Sequence, residues 1–147
     1  MKKASSNLLL LDVNVLLALA WPNHQFHGAA TRWLGPSSDP WATCALTQLG
    51  FIRLSSNPAV VSPAKSPAAA AALLEAMVRD PLHQYLSALP APAVRGTVPF
   101  EKIIGSKQVT DLYLLTLAHR HNATFVTFDS RLKALAGADG RIQTLGL

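Results

Sequence analysis

Two short apolar runs in this chain each end on an aspartate. Leu8-Leu9-Leu10-Leu11 leads into Asp12, and Thr124-Phe125-Val126-Thr127-Phe128 leads into Asp129. Four or five apolar or β-branched residues make a buried strand. An open α/β sheet gathers its chemistry at the carboxyl ends of its strands. Few folds put an acid directly after a strand twice without using it, so this pairing constrains the chain more than any other feature.

The stretches between alternate in period. Residues 13–20 read as a helix stopped by Trp21-Pro22, and residues 24–34 as a second, with Gly35 as its cap. Residues 41–44 read as a strand. Residues 47–55 read as a helix with Leu49, Ile52 and Phe51 on its apolar side. Ser66 and Pro67 suit the N-cap and first turn of a further helix, through the alanine run 68–72 to Pro81. Residues 83–86 predict a strand, 89–99 a proline-rich loop, 108–121 a helix, 130–135 a short helix and 141–145 a last strand. Strands alternating with helices predict a parallel sheet covered on both faces. The 147 residues, half of them hydrophobic, fit one domain over 1–147.

The basic start Met1-Lys2-Lys3 and the apolar stretch after it resemble an export signal, but Asp12 and Asn14 interrupt that stretch. A charge near the middle of an inserting segment costs about 2.5–3.5 kcal/mol. The expectation is a soluble cytoplasmic protein with no membrane contact. The single Cys44 excludes an internal disulfide and fits a reducing compartment and core packing. A formal charge of +5, from 13 Lys and Arg against 8 acids, suits a polyanionic partner.

Eight acids are few enough to sort individually. Asp39, Asp80 and Asp139 stand beside Pro or Gly at turns and helix ends, Glu75 pairs with Arg79 four residues on, and Glu101 adjoins Lys102. Asp12, Asp111 and Asp129 remain. Asp111 shares a helix face with Leu114, Leu115 and Ala118, so its carboxylate aims at a core, which is costly unless it is paired or metal-bound. Helix capping is the alternative for each acid alone. Three carboxylates at one point repel by about 4 kcal/mol per pair at ~4 Å. A hard divalent cation neutralises them, and oxygen-only ligands favour Mg²⁺ or Mn²⁺. Such a centre polarises phosphate and activates water, which with a basic surface points to phosphodiester hydrolysis.

Four blocks carry a family resemblance: Leu-Leu-Asp12-Val-Asn14-Val-Leu-Leu; Thr47-Gln48-Leu-Gly50-Phe-Ile-Arg53-Leu-Ser-Ser-Asn57-Pro58; Val109-Thr110-Asp111-Leu-Tyr-Leu-Leu-Thr-Leu-Ala118; and Phe125-Val-Thr127-Phe-Asp129. In order and spacing they resemble the PIN-domain nucleases, and within them the VapC toxins of toxin–antitoxin pairs. The resemblance implies a three-layer α/β domain whose five-stranded parallel sheet has the order 3-2-1-4-5. It implies an Mg²⁺-dependent endoribonuclease, with Mn²⁺ as the alternative ion, that is a homodimer inhibited by a small VapB-type antitoxin inserting into the active-site groove. Carried over by position, Asp12, Asp111 and Asp129 are the metal-site acids, and Asn14 and Thr127 support them. Gln48 stands where the family usually has glutamate, and it offers a carbonyl oxygen without a charge.

Arg53, Lys107 and Arg131 flank the acidic blocks and are candidates for the RNA backbone, with solvated surface charge as the alternative. His24 and His27 lack a further ligand at suitable spacing and read as structural. Trp21, Trp33 and Trp41 read as core, with base stacking as the alternative. Aspartyl-phosphate phosphatases also begin with a strand ending on Asp, but need a second Asp where Asn14 stands. A PIN domain that binds RNA or protein without cleaving remains the rival reading, because of Gln48.

Overall fold

The structure is a computed structural model that describes residues 7–137 and 141–146. Met1-Lys2-Lys3 and Asp139 lie outside these residues. Five strands, β1 (Leu9–Leu11), β2 (Trp41–Thr43), β3 (His83–Tyr85), β4 (Thr124–Thr127) and β5 (Ile142–Thr144), form one sheet in the order β3-β2-β1-β4-β5. All four pairings are parallel. The order runs one way from β1 through β2 to β3 and the other way through β4 to β5. A switch point therefore opens between β1 and β4, where the register pairs Leu11 with Val126.

Alternation along the strands builds two cores. Leu8, Leu10, Ala42 and Phe125 face one side and pack against Leu112, Leu114, Leu115, Leu117 and Ala118 of helix α5 (Val109–Arg120). Leu9, Leu11, Trp41 and Val126 face the other side. There they meet Val15, Leu16 and Leu17 of α1 (Val13–Ala20), Phe51 of α3 (Ala45–Ser55) and Leu74 of α4 (Pro67–Val78). A strand covered on both faces needs no polar alternation, which is why four consecutive leucines suit β1 and the start of its turn.

The helices differ from expectation in detail. The second, α2 (His27–Leu34), begins three residues later than the pattern suggests. His24 Nδ1 instead accepts from the Phe26 amide at 3.0 Å, holding a turn, and His27 Nδ1 bonds the Ala18 carbonyl at 2.7 Å. Both histidines are structural. In α3 the buried stripe is Thr47, Gly50, Phe51 and Ser55, while Leu49 is 64 % exposed. The inward hydroxyls are satisfied: Thr47 bonds the Cys44 backbone, and Ser55 Oγ accepts from Trp21 Nε1 at 3.0 Å. Small and hydrogen-bonded residues, rather than large aliphatics, let this helix approach α1. Trp21 and Trp41 are core, and Trp33 is half-buried against it. The last predicted short helix is a 3₁₀ turn (Ser130–Leu132) followed by α6 (Lys133–Ala136). Among the described residues no helix is long and apolar enough to cross a membrane.

Candidate active site

Asp12 is the N-cap of α1, and Asp129 the N-cap of the 3₁₀ turn after β4. Capping, the alternative role weighed from sequence, is thus realised at both, but it accounts for only part of their surroundings. Asp12 is 8 % exposed. Its Oδ1 accepts from the Val13 amide at 2.8 Å, and its Oδ2 accepts from Thr127 Oγ1 at 2.7 Å. Among the described residues no cation pairs with it. Burial raises its pKa, hydrogen bonds from Thr127 and Val13 pull it back, and the charge of Asp129 raises it again.

Asn14 and Thr127 join the two strand ends. Asn14 Nδ2 donates to Thr127 Oγ1 at 3.3 Å, and Asn14 Oδ1 accepts from the Phe128 amide at 3.3 Å. The Asp129 amide also donates to Thr127 Oγ1, at 3.1 Å. The hydroxyl of Thr127, fully buried, therefore ties Asp12, Asn14 and Asp129 together.

Asp111 stands in the first turn of α5, half-buried, and among the described residues its carboxylate accepts no hydrogen bond. Its pKa is pushed up to about 6, first by desolvation, then by the charges of Asp12 and Asp129, against a smaller opposing pull from Arg131. Repulsion of this kind requires the three acids to share one neighbourhood although they come from three elements. Asp129 goes the other way: hydrogen bonds from the Arg131 side chain hold its carboxyl below the usual range, against some desolvation. Asp111 and Asp129 line a groove of about 410 Å³ with Ser106, Lys107, Gln108 and Arg131. Asp12 is buried and is not among the groove's lining residues.

Of the basic candidates, Lys107 and Arg131 share this groove. Arg53 lines a neighbouring one with Val13 and Thr110, which adjoin Asp12 and Asp111 in the chain. Gln48 points elsewhere: its Nε2 donates to Thr43 Oγ1 at 3.0 Å, and that hydroxyl bonds His83 Nε2 at 2.8 Å. None of its hydrogen bonds reaches the three acids. Ser106, Gln108, Thr43 and His83 are neighbours of the candidate residues that the sequence did not single out. Gly50, quoted within a block, has a physical reason to be glycine: a Cβ there would stand 2.8 Å from Val13 Cγ2.

As the side chains stand, no three His, Cys, Asp or Glu residues among those described converge closely enough to hold a metal ion. The donors nevertheless suit one. They are all carboxylate oxygens, they repel one another, and Asp111 has no hydrogen-bond donor among the described residues. A hard cation is the kind of partner that would relieve this repulsion.

Two of the remaining acids have structural tasks. Asp80 accepts from Trp41 Nε1 at 3.0 Å and from the Leu82 amide at 2.9 Å. Glu75 and Arg79 form an exposed pair at 3.8 Å.

Comparison with known proteins bears on the family and the fold. The PIN domain profile matches residues 9–138. Ribonuclease VapC39 of Mycobacterium tuberculosis is 41 % identical over 138 residues, covering 92 % of this chain and 98 % of that protein. Ribonuclease VapC38 of the same organism is 42 % identical over 130 residues, covering 88 % of this chain and 90 % of the relative. For Ribonuclease VapC44 the identity is 42 % over 132 residues, covering 88 % and 92 %. Among solved structures, a chain in the crystal structure of VapBC2 from Rickettsia felis bound to a promoter DNA fragment superposes with a TM-score of 0.61. That match covers 95 % of this chain and 99 % of the other at 12 % identity, a likeness of fold.

Proposed function

This chain belongs to the PIN-domain family, in its VapC branch, and from that premise we propose that it is a divalent-metal-dependent endoribonuclease, the toxin of a type II toxin–antitoxin pair. The observation that carries the reading is the gathering of Asp12, Asp111 and Asp129 in one neighbourhood, beside a groove lined by Asp111, Asp129, Lys107 and Arg131. Carboxylates that oppose one another beside two cations suit a metal ion and a phosphate backbone together.

In this reading Asp12, Asp111 and Asp129 hold Mg²⁺, with Mn²⁺ as a substitute. The ion supplies polarisation of the scissile phosphate and acidification of water. Thr127 fixes the Asp12 carboxylate through its 2.7 Å bond, so that one oxygen cannot rotate away. Asn14 holds Thr127 and the Phe128 amide and so sets the distance between the ends of β1 and β4. Lys107 and Arg131 take the RNA backbone, and Arg53 extends that basic track in the adjoining groove. The 147 residues act as one domain and pair as a homodimer. A small VapB-type antitoxin restrains them in the cytoplasm, where the buried Cys44 stays reduced.

The test is incubation of purified protein with a mixed RNA pool in Mg²⁺ or Mn²⁺, then in EDTA. Internal cleavage that stops in EDTA is expected, and cleavage unchanged in EDTA would sink the metal mechanism. Gln48, turned to Thr43, favours one rival: a weakened PIN domain that binds RNA or protein without cutting. RNA binding with no cleavage in either ion would establish that rival.

A further inference from the structure

Both carboxylate oxygens of Asp129 are taken by a single neighbour. Oδ1 accepts from the Arg131 amide at 3.0 Å and from Arg131 Nε at 2.9 Å, and Oδ2 accepts from Arg131 Nη2 at 2.9 Å. The guanidinium thus grips the carboxylate as a fork, its most directional mode of pairing. The Asp129 side chain is 25 % exposed, whereas that of Arg131 is 83 % exposed. The arginine is therefore the more solvent-exposed partner of the pair, and both line the same groove. A cation approaching Asp129 meets Arg131 there, and it needs the same oxygens.

As the side chains stand, no three acids among the described residues converge closely enough to hold a metal ion. Asp12 is fixed by Thr127 and Val13, and Asp111 accepts no hydrogen bond from the described residues, whereas Asp129 is already held by a cation. The grip is also easily broken, since water screens an ion pair whose arginine is this exposed. A phosphodiester presents two oxygens in a geometry the same guanidinium fork accepts.

We propose that Arg131 is an exchange residue, which holds Asp129 while metal and RNA are absent and moves onto an RNA phosphate when Asp129 turns to the metal. This rests on the nuclease reading above and adds to it a coupling between the two ligands. RNA that draws Arg131 away frees a metal ligand, and metal that occupies Asp129 frees a phosphate ligand. By linkage each ligand raises the affinity of the other by the same factor. Arg131 is in this sense a positioning residue for Asp129 before it touches substrate.

The experiment is calorimetric titration of the RNA-free protein with Mn²⁺, for wild type, Arg131→Ala and Arg131→Lys. Thermal melts in EDTA check that each variant is folded. Removing the competing cation should tighten Mn²⁺ binding by about fivefold, at the upper end of what an exposed pair returns. Arg131→Lys keeps the charge without the fork and should fall between, so it carries the test should Arg131→Ala fold poorly. RNA is the second probe. In Mn²⁺ the KM of Arg131→Ala should rise about tenfold, the cost of one contact to a charged group. RNA affinity in EDTA, where Arg131 is engaged with Asp129, should change less than about twofold on the same reasoning. Equal Mn²⁺ affinity in wild type and Arg131→Ala overturns the exchange role and leaves the nuclease reading intact. Failure of wild type to bind Mn²⁺ at all overturns the metal site itself, and the exchange with it.

Discussion

The Thr127 hydroxyl and the Asp12 carboxylate, 115 positions apart, share a hydrogen bond of 2.7 Å at the switch point of the sheet. Thr127→Val keeps the shape and removes the donor, leaving a buried carboxylate oxygen unsatisfied. The variant should lose about 1.5–3 kcal/mol of stability, the range for a hydrogen bond to a charged group. It should also shift the acid limb of the activity profile to higher pH, because Asp12 loses the hydrogen bond that most lowers its pKa. Thr127→Ser should restore both. Denaturant melts and a pH–rate series on the three proteins decide it.

The carboxyl of Asp111, titrating near 6, predicts two pH effects. Cleavage should fall as pH drops through about 6, because a protonated carboxyl no longer binds the cation. Stability of the metal-free protein should move oppositely. The folded state holds the Asp111 proton up to a higher pH than the unfolded state does, so its contribution is complete below about 4 and is lost as pH rises towards 6. Asp111→Asn should abolish cleavage and remove this slope. After discounting for solvent at a half-exposed group, the gain near pH 7 is on the order of 1 kcal/mol. Melts in EDTA from pH 4 to 7 measure it, and a large loss in Asp111→Asn would make the acid a structural one.

Metal should stabilise the folded chain by mass action. At a hundredfold excess over Kd, Mn²⁺ should add about 2.7 kcal/mol to wild type. Asp12→Asn and Asp129→Asn should lose most of that increment along with cleavage. Thermal shifts with and without EDTA give the comparison, and an equal shift in all three proteins would exclude these acids as ligands.

Gln48→Glu tests where residue 48 faces. The Thr43 hydroxyl accepts from Gln48 Nε2 and shares a second hydrogen bond with His83 Nε2, whose direction follows the imidazole tautomer. A glutamate cannot donate, so the Thr43 proton turns to it and His83 must supply the other bond. The His83 pKa, held low mainly by burial, should rise in the variant, while Mn²⁺ affinity stays within about twofold of wild type. NMR titration of His83 with metal calorimetry tests both. A strong gain in Mn²⁺ affinity would mean that residue 48 swings to the acids, as the family pattern suggests.

Gly50→Ala should cost about 1–3 kcal/mol through its contact with Val13 Cγ2, in line with small overpacking changes. Because Val13 supplies the amide that binds Asp12, cleavage should fall as well. Val13→Ala introduced alongside should recover part of both losses, since contacting residues couple. Additive losses in the double variant would remove the steric explanation.

The strands and the positions of the three acids were legible because each rests on a local rule. Leu8 to Leu11 can only be buried on both faces, and an acid that follows such a run stands at the sheet's carboxyl edge. The order of the strands came from the resemblance, not from periodicity, which says nothing of which strand lies beside which. The stripe on α3 was read only in part: Phe51 is buried and Ile52 packs against the core, but Leu49 is exposed, and Thr47, Gly50 and Ser55 face inward, the two hydroxyls satisfied. Hydropathy cannot show that a buried hydroxyl has a partner. The direction of Gln48 was hidden for a similar reason: its partner Thr43 is a strand residue whose hydroxyl looked inert in sequence. Arg131 was marked as a cation near the acids, but its grip on Asp129 depends on the 3₁₀ turn that brings both side chains to one side.

The pairing of β1 with β4 has a consequence for the newly made chain. One acid lies at residue 12 and the others at 111 and 129, and the strand that completes the pair ends at Thr127. Domains made from the N-terminus begin folding while still being extended. A growing chain that has α5 but not yet β4 carries Asp12 and Asp111 and lacks Asp129 and the Thr127 bond to Asp12. The proposed centre is therefore incomplete until synthesis has passed residue 129, and the nascent chain carries the first acid long before it carries the last.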